Sequence, residues 1–133
     1  MNLAVVGLGS NIDPKRHIQR GKELVAATFK VLKFSHFLIT KPQNNPQQAE
    51  FINGGALIKT PMSFLELKET LKGIEMQMGR TAEMHNNKPR VIDLDIHAWN
   101  GEIVDPLFYQ WEFLRTIVLE LVPDLRYDHG KVV

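Results

Sequence analysis

The chain has no cysteine, no long apolar run and almost no net charge, and each absence argues against a class of protein. Without cysteine, its 133 residues form neither a disulfide nor a thiolate metal site, which agrees with a reducing cytoplasm. A net charge of +1 argues against a protein that binds nucleic acid by broad phosphate neutralisation. No segment approaches the roughly 20 apolar residues of a membrane span, and the start lacks a basic signal region. We expect a cytoplasmic protein with no membrane or nucleic-acid partner.

The overall composition is that of an ordinary globular domain. Apolar residues make up 44% of the chain and charged residues 23%, which allows both a core and a solvated surface. The length suits one domain with a real core and is too short for two ordinary ones. We therefore expect a single domain over residues 1–133 and a monomer.

Hydrophobic periodicity predicts alternating strands and helices, followed by a hairpin and a last helix. The predicted strands cover residues 2–9, 31–40, 51–59 and 90–96. The predicted helices cover residues 13–29, 63–78 and 111–122. Asp13 is predicted to cap the first helix, with Pro14 as its first residue, and Ser63 and Glu66 are predicted to form a capping box at the second. Two polar loops cover residues 41–50 and 80–89, and the Asn100-Gly101 pair predicts a hairpin turn before a short strand at 102–104.

The order β-α-β-β-α-β predicts an α+β fold, namely a ferredoxin-like antiparallel sheet with an added hairpin and a C-terminal helix. We expect the first and last strands of this unit to lie centrally, between antiparallel edge strands. Each polar loop leads into the start of a strand, where it could act as a lid over a bound nucleotide or be a plain solvated connection. The paired Gly54-Gly55 predicts that another group approaches the third strand closely.

Two aspartates alternate along the last strand of the unit. Asp93 and Asp95 are two residues apart, so their carboxylates point from the same face. Like charges on an otherwise apolar strand repel each other and are costly to desolvate unless a cation lies between them. Mg²⁺ suits such a pair, because it takes carboxylate, water and phosphate oxygens together. The alternative is a solvated strand face without metal, which is common for Asp-x-Asp sequences.

Basic side chains flank this acidic pair. Arg80, Lys88 and Arg90 shortly precede it in the sequence. Charges of both signs in one region suit a metal ion together with a triphosphate. The residues alone therefore indicate a Mg²⁺-dependent nucleotide enzyme.

Four motifs together resemble those of the 6-hydroxymethyl-7,8-dihydropterin pyrophosphokinase family. They are Gly-Ser-Asn at 9–11, Phe-Ile-Asn at 51–53, Ile-Glu-Met-Gln-Met-Gly-Arg at 74–80 and Pro-Arg-Val-Ile-Asp-Leu-Asp-Ile at 89–96. The last motif is highly specific, whereas Gly-Ser-Asn alone is a weak signal. The similarity is continuous from residue 1 to about residue 101 and resumes over residues 113–125.

The resemblance implies an enzyme of folate biosynthesis. The family transfers the β,γ-pyrophosphoryl group of ATP to the hydroxymethyl group of a reduced pterin and releases AMP. The resemblance implies two Mg²⁺ ions that are held by Asp93 and Asp95. Their role would be to neutralise phosphate charge and to hold the attacking hydroxyl in line.

The same resemblance implies a pterin pocket. Asn53 would hydrogen-bond the edge of the pterin, while Phe51 and Phe113 would stack on the two faces of its ring. Backbone groups near Thr40 and Gln43 would complete the pocket. From the residues alone, both phenylalanines are predicted to be ordinary core residues.

The resemblance also implies a nucleotide site. Arg80 and Arg90 would bind phosphates and take part in catalysis, because a planar guanidinium suits bidentate contact. Lys88, Glu75 and Ile96 would border the nucleotide. Without the resemblance, Glu75 is predicted to be an exposed glutamate on a helix.

The chain departs from the family on the phosphate side. A second arginine of the 80–89 loop is replaced by Ala82, and a tryptophan common in bacterial members is replaced by Asn87. The segment 106–113 is shortened and lacks a histidine and an arginine that contact ATP phosphates in the family. One lost oxyanion donor typically costs about 2.7–4 kcal/mol of transition-state stabilisation. Three basic residues are candidates to replace these donors: His85, Lys88 and Arg115.

Three functional interpretations stay open on sequence grounds. The first is an active pyrophosphokinase that uses Mg²⁺, ATP and a reduced hydroxymethylpterin. The second is an altered homologue that binds pterin or nucleotide without efficient transfer, because the pterin positions are kept better than the phosphate donors. The third is a small ferredoxin-like interaction module whose aspartates are only solvated.

Overall fold

A computed structural model of the chain describes residues 1–42, 47, 49–79 and 91–133. Six strands lie in these ranges: β1 (Asn2–Ser10), β2 (Lys30–Phe34), β3 (Leu38–Thr40), β4 (Phe51–Thr60), β5 (Asp93–Trp99) and β6 (Glu102–Ile103). Three α-helices accompany them: α1 (Pro14–Thr28), α2 (Phe64–Gln77) and α3 (Glu112–Leu121). A 3₁₀-helix at Pro106–Tyr109 precedes α3, and another lies at His129–Lys131. None of the helices described combines the length and the hydrophobicity needed to cross a membrane.

The strands form one antiparallel sheet in the order β2-β4-β1-β5-β6, and β3 pairs with β4 beside β2. This arrangement confirms the α+β ferredoxin-like fold. The predicted central position is right for β1, which has a partner on both sides. It is wrong for the last strand of the unit, because β6 covers only Ala98 and Trp99 of β5. The second central strand is β4, which pairs with β1 on one side and with β2 and β3 on the other.

The strand predicted over residues 31–40 is two strands with a break at residues 35–37. Ser35 folds back onto β4, because its N–H donates to the Gly55 carbonyl at 2.9 Å and its hydroxyl accepts from the Gly55 N–H at 2.8 Å. The Phe37 ring then lies over Gly54, where a Cβ would collide with it. The predicted close approach at the glycine pair is therefore confirmed, and Phe37 is one of the approaching groups.

Alternating residues of β1 face two separate cores, as the two-residue period of a strand requires. Val6 and Leu8 face a core covered by α1 and α2, whereas Val5 faces a core covered by α3 and the 3₁₀-helix that precedes it. The first core is mostly aliphatic and includes Val25, Leu67, Leu71 and Ile92. The second contains Phe108, which is completely buried and touched edge-on by two tyrosines.

The two long helices begin in different ways. Ser63 caps α2: its hydroxyl accepts from the Glu66 N–H, and the Glu66 side chain accepts from the Ser63 N–H, which confirms the predicted capping box. At α1 the prediction is half right. Pro14 is the first helical residue, but Asp13 adopts a left-handed conformation and its side chain caps nothing. Asp13 pairs instead with Arg16 on the exposed surface, at 2.7 Å.

The remaining boundaries lie close to their predicted places. Asn100 and Gly101 both have positive φ, 49° and 82°, as the predicted hairpin turn requires. The last helix is α3, within one residue of its prediction at each end. The last strand of the unit, predicted over residues 90–96, begins at Asp93 and runs on to Trp99.

Candidate functional site

Three strand ends meet at one end of the sheet. Gly9, near the end of β1, is paired with Asn53 of β4 on one side and with Asp93 of β5 on the other. Because β1 runs antiparallel to both neighbours, its end lies beside their beginnings. The strand starts that follow the two predicted polar loops are therefore neighbours of the same glycine.

Asn53 lies across β1 because Gly9 has no side chain. A Cβ added at Gly9 would collide with the Asn53 Oδ1 atom. On the other side, the Asn53 amide nitrogen donates to the Thr40 hydroxyl at 2.7 Å. The glycine and the threonine together hold the amide group in one orientation.

The aromatic residues assigned to the pterin pocket lie on two different elements. Phe51 shares the face of β4 with Asn53 and is paired with Thr40 of β3. Phe113 lies in the first turn of α3, where its ring stacks on Trp111 at 5.6 Å between centroids. The structure therefore brings Thr40, Phe51 and Asn53 together. The stacking of Phe51 and Phe113 around a ligand ring stays a prediction.

Asp93 and Asp95 lie on the same face of β5, as the sequence pattern predicts. Asp93 is paired with Gly9 and Asp95 with Gly7. Because both partners on β1 are glycines, β1 places no side chain of its own beside either carboxylate. The two aspartates therefore border a bare stretch of backbone on the face that carries Asn53.

Like charges surround the Asp95 carboxyl group. Its pKa is raised well above the usual range, first by desolvation and next by the charge and hydrogen bond of Asp93. Glu75 and Asp105 add further repulsion. Asp95 is exposed at the open end of the sheet, so water screens part of these effects. Desolvation and the three negative neighbours all act in the same direction and raise the pKa.

Glu75 is buried, which corrects the prediction of an exposed helix glutamate. Only 8% of its surface is accessible, and its carboxylate accepts a hydrogen bond from the Leu94 N–H at 2.7 Å. The physical reason lies in β5, because β6 covers only the far end of its outer edge. A buried strand N–H without a strand partner needs another acceptor, and Glu75 on α2 supplies it.

The acidic pair fits a hard divalent cation. Two carboxylates that repel each other across one strand face are stabilised when a cation lies between them. No group of three or more histidine, aspartate or glutamate side chains that could hold a metal occurs in the described ranges. A pair alone leaves most coordination positions to water or ligand oxygens, which is the usual arrangement for Mg²⁺ with phosphates.

Several predicted site residues lie outside the described residues: Gln43, Arg80, His85, Lys88 and Arg90. Their assigned roles stay predictions. Ile96 is described; it pairs with Val6, and its half-buried side chain packs against the first core. The side chain of Ile96 thus faces away from the two aspartates.

The Arg115 side chain is engaged by the segment that precedes α3. Its Nη1 group donates to the Phe108 carbonyl at 2.8 Å, so the side chain braces the 3₁₀-helix that precedes α3. The residue is half-buried rather than fully solvated. Of the candidate replacements for the missing phosphate donors, Arg115 therefore has a structural role in this conformation.

His97 is a polar residue of this face that the sequence reasoning missed. The pairing of β5 with β1 shifts between Val5 and Val6, which leaves His97 as an extra, bulged residue. The residue is buried, and its ring Nδ1 lies 2.9 Å from the Asp105 Oδ2 atom. The signal was present as Asp-x-Asp-x-His, in which His97 extends the alternation of the two aspartates.

The contact with His97 favours the charged form of the Asp105 carboxylate. Burial alone raises the pKa of Asp105, but hydrogen bonds from His97 and from the Leu107 N–H, together with the His97 charge, outweigh it and lower the pKa. Asp105 is thus held in its charged form. It also joins the end of the hairpin to the 3₁₀-helix that precedes α3.

Comparison with known proteins gives one consistent family. The family described as 7,8-dihydro-6-hydroxymethylpterin-pyrophosphokinase has a sequence model that matches residues 5–123. Similar proteins bear the name 2-amino-4-hydroxy-6-hydroxymethyldihydropteridine pyrophosphokinase. The one from Bacillus subtilis is 36% identical over 107 residues, which are 78% of this chain and 64% of that protein. The one from Pseudomonas aeruginosa is 28% identical, over 95% of this chain and 84% of that protein. The one from Methylorubrum extorquens is 35% identical, over 92% and 80%.

Proposed function

The chain belongs to the 7,8-dihydro-6-hydroxymethylpterin-pyrophosphokinase family, and we propose that it transfers pyrophosphate from ATP to 6-hydroxymethyl-7,8-dihydropterin in folate biosynthesis. One observation carries this proposal. Asn53, Gly9 and Asp93 form a single row across three strands. An amide suited to a pterin edge and a carboxylate suited to a cation thus lie on the two sides of one bare glycine.

In the proposed reaction the hydroxymethyl oxygen of the pterin attacks the β-phosphorus of ATP. A new oxygen–phosphorus bond forms, and the bond between the β-phosphorus and the α,β-bridging oxygen breaks. AMP leaves with that electron pair, while the hydroxyl proton passes to solvent. Such a transfer depends chiefly on positioning and on stabilisation of phosphate charge. ATP and the reduced pterin are the proposed partners, and we expect a cytoplasmic monomer without nucleic acid or membrane.

Asp93 and Asp95 are proposed to hold the Mg²⁺ ions of this reaction. When bound, Mg²⁺ would neutralise charge on the phosphates. The shared face of the two carboxylates supports this role. The raised pKa of Asp95 supports it as well, because a cation would relieve the repulsion that raises it.

The pterin is proposed to bind on the β4 side of Gly9. Asn53 carries a donor and an acceptor on one planar group, which suits the alternating donors and acceptors of a pterin edge. Its link to Thr40 would hold this group ready for the ligand. Phe51 and Phe113 are proposed to stack on the ring, with Gln43 near its rim.

The nucleotide is proposed to bind on the β5 side. Arg80, Lys88 and Arg90 would contact its phosphates. Glu75 and Ile96 would border it through β5, whose edge Glu75 fastens by its bond to Leu94 N–H. In this proposal Glu75 shapes the strand that carries the acidic pair.

A second candidate function is binding of pterin or nucleotide with weak transfer. The observation that favours it is the Arg115 side chain, which is engaged by the Phe108 carbonyl rather than by the phosphate side. With the family histidine and arginine missing from segment 106–113, phosphate contact would then rest on Arg80, Lys88, Arg90 and Mg²⁺.

The test is incubation with ATP, Mg²⁺ and 6-hydroxymethyl-7,8-dihydropterin, followed by separation of the nucleotides. We expect AMP to accumulate in equal amount to the pyrophosphorylated pterin, and the Asp95→Asn variant to produce none. Release of ADP, or nucleotide turnover that is independent of the pterin, would contradict the proposal. Pterin binding by calorimetry in the presence of an ATP analogue, without AMP, would establish the second candidate function instead.

A further inference from the structure

His97 occupies a space that exists only because residue 7 is glycine. A Cβ added at Gly7 would collide with the imidazole ring, and the ring atom nearest to it is Nε2. The Nε2 corner of the ring therefore lies over the backbone of Gly7. Only 6% of the residue is accessible, so surrounding side chains hold the ring in this place.

The segment after the hairpin holds His97 by both main chain and side chain. The His97 carbonyl accepts from the N–H groups of Val104 and Asp105, at 3.0 and 3.4 Å. The ring Nδ1 bonds Asp105 Oδ2 at 2.9 Å, while Asp105 Oδ1 accepts from the Leu107 N–H at 3.0 Å. Two independent contacts thus fix the direction of the ring.

The ring lies over the β1 residue that is paired with Asp95. Gly7 is the residue paired with Asp95 across β1 and β5, and paired residues of antiparallel strands have Cα atoms roughly 4.5–5.5 Å apart. On the other side of Gly7, Gly55 is covered by α3, because a Cβ there would come within 2.8 Å of Ile117. The ring therefore lies over the middle position of a row that runs from Gly55, under α3, through Gly7 to Asp95. Asp105 is close enough for its charge to act on Asp95.

We propose that His97, oriented by Asp105, is a positioning residue for Asp95. The row of two glycines, Gly55 and Gly7, places no side chain of its own beside the Asp95 carboxyl group. The ring supplies the missing wall and directs the carboxyl group toward Asp93, which sets the affinity of the acidic pair for a divalent cation. Residues that orient a metal ligand in this way commonly change metal affinity when they are replaced. This inference rests on the proposed function, because it takes Asp93 and Asp95 as the cation site.

Mn²⁺ is a suitable probe, because its binding is followed directly by electron paramagnetic resonance and needs no turnover. The wild-type protein, His97→Ala, Asp105→Ala and the double variant are titrated with Mn²⁺ in the presence of a non-hydrolysable ATP analogue. We expect each single variant to bind Mn²⁺ about tenfold more weakly. The double variant should be no weaker than His97→Ala, because the two residues act as a unit.

His36→Ala is the matched control. His36 also bonds a carboxylate, with its Nδ1 2.9 Å from Glu120 Oε2, but it lies between β2 and β3 at the opposite edge of the sheet. We expect its Mn²⁺ affinity to equal that of the wild type.

The His97→Asn variant distinguishes a positioning role of His97 from a role in fold stability alone. Its melting temperature and its Mn²⁺ affinity are both measured. Asparagine keeps a donor for Asp105 but leaves the space over Gly7 empty, so its melting temperature should be restored while its affinity stays low.

Two results would overturn the inference in different ways. If the wild type binds Mn²⁺ and both His97→Ala and His97→Asn bind it with the same affinity within about twofold, the positioning role is refuted. The proposed function then stands. Absence of Mn²⁺ binding in the wild type, with the ATP analogue present, would refute the proposed cation site and this inference with it. Normal affinity in Asp105→Ala alone would refute the orienting role of Asp105.

Discussion

At the residue scale, glycines on β1 decide which polar side chains this face can hold. Gly9 leaves room for the Asn53 amide, and Gly7 leaves room for the His97 ring. Each glycine is also paired with one of the two aspartates of β5. Polar groups from two neighbouring strands can therefore lie over the strand between them. A side chain at either position would force them apart.

The charge on Asp95 is predicted to destabilise the metal-free fold at neutral pH. Folding raises the pKa of Asp95 above its ordinary value of 3.8. Below that value the Asp95 carboxyl group is protonated in both the folded and the unfolded chain, so the pKa difference costs no stability. As the pH rises through the folded-state pKa, the carboxylate becomes charged in the fold and lowers the free energy of unfolding. Asp95→Asn should therefore raise the melting temperature in metal-free buffer at about pH 7, and the gain should vanish at about pH 3.

Asp105 is the opposite case and serves as the comparison. Its pKa is lowered in the folded state, so its contribution to stability is present above the ordinary value and is lost as the pH falls through the folded-state pKa. Asp105→Asn should therefore lower the melting temperature at neutral pH and have a smaller effect in acid. A lowered melting temperature for Asp95→Asn at neutral pH would contradict the like-charge account of this face.

Asn53 is predicted to carry much of the pterin affinity. Replacing it with alanine leaves the donors and acceptors of a buried pterin edge unmatched, so Asn53→Ala should weaken binding by about 1–3 kcal/mol. Calorimetry with the pterin and an ATP analogue measures this. Asn2→Ala is the control, because the Asn2 amide also makes hydrogen bonds, donating to the Met62 carbonyl and accepting from the Asn100 amide, but at the far end of β1. If Asn53→Ala and Asn2→Ala bind the pterin with equal affinity, Asn53 does not contact the pterin.

At the scale of elements, strand edges decide where buried polar groups are needed. β5 is covered by β1 along most of its length but by β6 only at its far end. The uncovered part obtains an acceptor from Glu75 of α2. On the opposite side of the sheet, the break between β2 and β3 is closed by Ser35, which bonds the backbone of Gly55. Side chains thus complete the sheet where strands are short.

The two helix starts are predicted to differ in what they contribute to stability. Ser63 satisfies a free N–H of α2, so Ser63→Ala should lower the free energy of unfolding by about 0.5–2 kcal/mol in urea denaturation. Asp13 makes no cap hydrogen bond at α1. Asp13→Ala should therefore have a clearly smaller effect, and an equal loss in the two variants would show that capping is not the cause.

At the scale of the whole molecule, the sheet separates two cores, and the candidate site lies on the side of the second. α1 and α2 cover one face, while α3 and the preceding 3₁₀-helix cover the other. Phe113 lies in the first turn of α3, and the Arg115 side chain joins that helix to the 3₁₀-helix. The second core therefore sets where Phe113 lies relative to Phe51 and Asn53.

Phe108 is predicted to be the main support of this second core. It is completely buried and packs against Tyr109 and Tyr127. Phe108→Ala should lower the free energy of unfolding by about 3–5 kcal/mol, measured in urea, because it removes a large side chain and leaves a cavity. Phe64→Ala is the control: Phe64 touches Trp99 edge-on but is 38% exposed, so its loss should cost much less. Similar costs would show that the second core repacks around the gap.

The sequence by itself determined the features that depend on local geometry. The strand period of two is enough to put Asp93 and Asp95 on one face, and the spacing from Ser63 to Glu66 is enough to cap a helix. The order of elements, the hairpin at Asn100 and the family motifs follow in the same way. All of these are set by residues a few positions apart, so no knowledge of distant partners is needed.

Only the tertiary structure decided the features that depend on register and on packing between distant segments. The central place of β4 and the burial of Glu75 follow from which strand edges are covered. The burial of His97 over Gly7 follows from the bulge opposite Val5 and Val6 and from the bond to Asp105 beyond the hairpin. Such choices rest on the free energy of packing whole faces together, which no short stretch of sequence contains.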